Sequence, residues 1–74
     1  MNARPVKHSL TLRGHRTSVS LEATFWREFR ALALREGVAL NELAARIDAA
    51  RGDMGLASAI QVHVLEDALR RAGG

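Results

Sequence analysis

The sequence predicts a mainly helical domain with an N-terminal β-ribbon, assembled as an intertwined homodimer in which two chains share the ribbon. Residues Arg16-Thr17-Ser18-Val19-Ser20-Leu21 alternate polar and apolar, the two-residue period of a half-buried strand. Everything after them reads as helix, so the strand's backbone groups find a partner either in the short alternating segment before it or in a second copy. Size points the same way. A chain of 74 residues without cysteine is near the length at which only about 60% of the unfolded surface is buried. It has no disulfide to staple it, and association is the remaining stabiliser.

Residues 1 to 7 hold the only proline, Pro5, and show no periodicity, so they are read as a flexible basic arm before a single domain over residues 8 to 72. His8 to Arg13 alternate again, with Leu10 and Leu12 on one side, until Gly14 breaks the phase. A chain running straight through Gly14 would set both leucines on the face of Ser18 and Ser20. A tight turn at Arg13-Gly14 removes the conflict, placing Leu10 across from Thr17 and Leu12 across from His15. A hairpin or a Gly-centred bulge is therefore expected.

The first helix is predicted over about Glu22 to Glu36, where Phe25, Phe29 and Leu32 recur at the spacing of a buried stripe and Trp26 and Ala33 broaden it. Gly37 ends it as a left-handed cap. A second helix spans about Leu40 to Arg51 with Leu40, Leu43, Ala44 and Ile47 in register, and Gly52 to Gly55 form a loop. The third, about Leu56 to Arg71, carries Leu56, Ala59, Ile60, Val62, Val64, Leu65, Ala68 and Leu69. That is more apolar surface than one small neighbour covers, so part of it is expected to face a second subunit. The expected core is Leu10, Leu12, Val19, Leu21, Phe25, Phe29, Leu32, Leu40, Leu43, Ile47, Ile60 and Val64. Val19, Leu21, Phe25, Phe29, Leu43, Ile47, Ile60 and Val64 are assigned to the dimer.

The net charge of +3 is unevenly spread: residues 1 to 16 hold Arg4, Lys7, Arg13 and Arg16 with no acid, whereas the remainder holds seven Lys or Arg against eight Asp or Glu. A positive field at one end of a small protein favours a polyanion as partner, because neutralising phosphates releases counterions. No apolar run reaches the roughly 20 residues that cross a bilayer, and no secretory core is visible. The chain is read as soluble and cytoplasmic.

Gly14-His15-Arg16-Thr17-Ser18-Val19-Ser20-Leu21-Glu22, then Phe25-Trp26, Ile47-Asp48-Ala49-Ala50-Arg51 and Leu56-Ala57-Ser58-Ala59 are together similar to small stand-alone bacterial ribbon–helix–helix DNA-binding proteins of the Arc and Met repressor type. The resemblance covers residues 8 to about 70. It implies that strands from two subunits pair antiparallel and enter the major groove of double-stranded DNA. Carried onto this chain, the base-reading positions are Arg16, Ser18 and Ser20. Arginine bonds guanine O6 and N7 in a bidentate manner, and a serine hydroxyl both donates and accepts. The resemblance also implies a phosphate at the start of the second helix, near Leu40 and Asn41, with Arg13, Lys7 and Arg4 tracking the backbone. Ala39 departs from the pattern, standing where a Ser or Thr cap is expected. The third helix is a second departure, since the shortest members end after two.

His8, His15 and His63 are scattered and lack Cys partners, so no zinc motif is recognised. No nucleophile–base pair or phosphate-cradling glycine loop appears, and neither enzymatic activity nor a cofactor or metal is expected. The function expected is repression of transcription by a DNA-bound homodimer, with higher assembly on DNA left open. Two rivals are an antitoxin, which would add a protein partner, and an interaction module that has lost DNA binding.

Overall fold

The phase break at Gly14 is resolved by a two-residue turn. In the computed structural model, which describes residues 4–73, strands β1 (Pro5–Leu12) and β2 (His15–Glu22) form an antiparallel hairpin. Arg13 (φ 51°) and Gly14 (φ 85°) at its tip both have positive φ, the signature of the type I′ turn that matches strand twist. Leu10 stands across from Thr17 and Leu12 across from His15, as the sequence implied.

β1 of the same chain pairs with one edge of β2, the hairpin that the sequence offered at Arg13-Gly14. Pro5, Val6 and Lys7, assigned to the arm from sequence, belong to β1. Proline is tolerated as the first residue of an edge strand because it has no N–H to offer the ladder. The start of the arm, residues 1–3, lies outside the described residues, as does Gly74.

Three helices follow: α1 (Ala23–Glu36), α2 (Leu40–Ala50) and α3 (Leu56–Gly73). Helix α1 ends at Gly37 in the left-handed region (φ 69°). There Val38 N–H donates to the Ala33 carbonyl and Gly37 N–H to that of Leu34, both at 3.1 Å. These two bonds satisfy carbonyls that the helix end leaves open. The α2–α3 loop is held by one side chain. Arg51 donates to Asp48 Oδ1 (2.6 Å) and to the Met54 carbonyl (2.7 Å).

The hairpin lies on the helices with one face inward. Leu10, Leu12, Val19 and Leu21 are buried with Trp26, Phe29, Leu32, Ala33, Leu43, Ala44, Ile47, Ala59, Ile60 and Val64, and no polar residue among those described is buried. Phe25 and Leu40, expected in the core, are only half-buried against its edge. Trp26 takes the inner position of Phe25. Its indole N–H donates to the Val6 carbonyl (2.7 Å), and His8 meets its ring edge-on with centroids 4.6 Å apart. A buried indole requires such an acceptor, so β1 and α1 fix each other.

Candidate nucleic-acid interface

The alternation that buries Val19 and Leu21 turns Arg16, Ser18 and Ser20 outward, and all three are exposed. Each stands beside an exposed residue of β1: Thr11 across from Arg16, Ser9 across from Ser18 and Lys7 across from Ser20. No Asp or Glu occurs between Pro5 and Leu21, and Arg13 adds a cation at the tip. The outward face is thus a strip of hydroxyls and cations, chemistry suited to a polyanion that also presents hydrogen-bonding edges. Ser20 is not a helix cap, since the residue preceding α1 is Glu22, which itself makes no side-chain capping bond.

The residues expected to hold phosphates fall into two groups. Arg13 and Asn41 come together at the tip, where they border one surface hollow with Thr11, Glu42, Ala45 and Arg46. Lys7 and Arg4 stand toward the other end of β1, with Lys7 roughly 20 Å from Arg13 by the rise of a strand. Between these groups run the outward residues of the ribbon.

Asn41 has a role the sequence did not reveal. Its Oδ1 accepts the Thr11 backbone N–H at 3.1 Å, strapping the outer edge of β1 to the start of α2. Ala39 is the N-cap of α2, extended and without a side-chain capping bond, so the first amides of the helix, Leu40 and Asn41 included, are claimed by no capping side chain. Arg46 near the hollow is paired with Glu42 at 2.6 Å. Arg13 and the uncapped start of α2 thus bring hydrogen-bond donors to this hollow.

Ser9 and Thr11, which the sequence reading did not single out, share the exposed face with Ser18 and Arg16. The signal was present in the alternation of His8 to Arg13 together with Gly14. His15 is exposed beside the turn, and His63 is half-buried on α3. The His63 Nε2 is enclosed with no hydrogen-bond partner among the described residues. No group of three or more His, Asp or Glu side chains among those residues is placed to hold a metal ion.

A basic, hydroxyl-bearing hairpin laid on helices is a ribbon-and-helix architecture. The family model for the ribbon-helix-helix domain matches residues 5–68, and the chain belongs to that family. The family is one of DNA-binding regulators rather than of enzymes. Comparisons with curated proteins and with solved structures gave no match. No described helix is long and apolar enough to cross a membrane.

Proposed function

We propose that this protein is a cytoplasmic transcriptional repressor that binds double-stranded DNA in a sequence-specific manner, with its β-ribbon in the major groove. One observation carries the reading: Arg16, Ser18 and Ser20 face solvent on an acid-free ribbon whose other face, with Val19 and Leu21, is sealed against the helices. Base edges are read by Arg16, Ser18 and Ser20. Phosphates are held by Arg13, Lys7 and Arg4 and by the start of α2 at Leu40 and Asn41. Repression follows from occupying a promoter.

The repressor works as a homodimer. Support comes from α3, where Val62, Leu65 and Leu69 recur at helical spacing and stay 42%, 54% and 62% exposed, more apolar surface than a lone helix usually leaves in water. Joining through this stripe leaves the inward residues Val19, Leu21, Phe29, Leu43, Ile47, Ile60 and Val64 as the core of each protomer.

Anisotropy titration of random duplex at several salt concentrations tests the reading. If Arg4, Lys7 and Arg13 each neutralise one phosphate per protomer of a dimer, log K should fall with log salt with a slope of about −5. Arg16→Ala should weaken binding to a selected site by roughly 1–3 kcal/mol while hardly changing affinity for random duplex. Binding that ignores salt would remove the DNA reading. A Leu65→Glu, Leu69→Glu chain that sediments like the unaltered protein would remove the α3 dimer.

A further inference from the structure

The seven arginines that follow the hairpin differ in how their charge is spent. Arg27, Arg35, Arg46, Arg51, Arg70 and Arg71 each lie 2.6 to 3.7 Å from a carboxylate. Arg30, the seventh, has no carboxylate partner among the described residues. Its place on α1 explains why. The positions three and four away are Trp26, Arg27, Ala33 and Leu34, none of them acidic, so no ion pair along the helix is open to it. Arg27, one turn back, is a like charge that mildly repels it.

Arg30 is exposed but not loose. Its guanidinium lies over the Trp26 ring, 6.0 Å from the centroid. Trp26 is itself buried, and its indole is tied to β1 by the hydrogen bond to the Val6 carbonyl and the edge-on contact with His8. An arginine laid on an aromatic face keeps its full charge and its five N–H donors. The cation is thus presented beside the base of the hairpin. Lys7 follows Val6 there, at the end opposite the Arg13 tip.

We propose that Arg30 is a phosphate contact of the DNA-binding surface, oriented by Trp26, so that this surface extends from the hairpin onto α1. The proposal rests on the DNA reading above and adds a residue to it. Lys7, Arg13 and Arg16 are likewise without a carboxylate partner among the described residues, so Arg30 groups with the hairpin cations and not with those that tie the helices together. A planar guanidinium matches the paired oxygens of a phosphate, and such a contact orients the duplex without reading its sequence. One further phosphate per protomer steepens the expected salt slope of a dimer from about −5 to about −7.

The test is anisotropy titration of a random-sequence duplex and of a selected site across a salt series, with the full chain and with Arg30→Gln, Arg30→Lys and Arg70→Gln. Arg70 lies on α3, 3.5 Å from Asp67, and its substitution controls for net charge. Circular dichroism melts establish that each variant is folded at the titration temperature. Arg30→Gln should make the slope shallower by about one unit per protomer engaged. It should weaken both duplexes alike, by up to about eightfold for each such contact near 0.1 M salt. Arg30→Lys should keep the wild-type slope, because the charge remains, and so should Arg70→Gln. An unchanged slope in Arg30→Gln, or an equal loss in Arg70→Gln, would overturn the contact while leaving DNA binding intact. Wild-type duplex binding that is indifferent to salt would instead sink the DNA reading, and this contact with it.

Discussion

Arg13 occupies a backbone conformation (φ 51°) that costs an L-residue with a full side chain roughly 1 kcal/mol or more, and Asn-Gly is the pair that this turn prefers. Arg13→Asn should therefore raise stability by about 0.5–1 kcal/mol in denaturant titrations. It should also make the salt slope of DNA binding shallower by about one unit per protomer engaged. A chain that gains stability and keeps its slope would show that the tip touches no phosphate. The turn itself was legible because Gly14 interrupts an alternation that otherwise runs unbroken. The strained residue was not, since nothing in a sequence marks an arginine as left-handed.

Asp67 gathers three arginines at the far side of the molecule. Its carboxylate accepts from Arg71 Nε at 2.9 Å and from an Arg35 guanidinium nitrogen at 2.6 Å, with Arg70 at 3.5 Å. The Arg71 hydrogen bond, helped by Arg35 and opposed by desolvation, holds the carboxyl below the ordinary aspartate value. A lowered folded-state pKa contributes stability that is complete above the unfolded value, about 3.9, and is lost as pH falls through the folded one. The melting-temperature advantage of the wild type over Asp67→Asn at pH 7 should accordingly begin to shrink near pH 4 and vanish as pH falls through the lower folded-state value. An advantage that persisted into stronger acid would contradict this ionic account.

At the scale of elements, α1 shows what periodicity reads and what it misses. Phe29 and Leu32 are buried as their spacing implied, with Phe29 fully enclosed, and Phe29→Ala should cost about 3–5 kcal/mol in thermal melts. A melt unchanged by that substitution would contradict its central place. Phe25 and Trp26 were harder to separate, because neighbouring positions on a helix lie only 100° apart and both are aromatic. The choice between them is made by a contact 20 residues away in sequence, from the Trp26 indole to the Val6 carbonyl. Trp26→Phe should then lower stability by about 1–3 kcal/mol, since the Val6 carbonyl loses its indole donor. The same distant contact explains why β1 reaches back to Pro5, which no local pattern of residues 5–7 announces. The Arg51 clamp is another such case: its acid at Asp48 lies at helical spacing, but its second acceptor is a loop carbonyl.

At the scale of the whole molecule, the outward face of β2 was legible without knowing which strands flank it. The alternation placed Arg16, Ser18 and Ser20 outward and Val19 and Leu21 inward irrespective of where the second strand came from. The origin of that strand depended on whether eight residues before Gly14 pair at home or abroad, and both answers satisfy the same backbone bonds. Interlaced subunits would make the melting temperature rise with protein concentration by mass action, so melts over a hundredfold range of concentration separate the two answers.

The two-residue turn that joins the strands also bears on how early the hairpin can form. With only Arg13 and Gly14 between β1 and β2, their pairing closes a loop of minimal length, and hairpins form in roughly 1–10 μs. Little chain entropy is spent in bringing these two strands together.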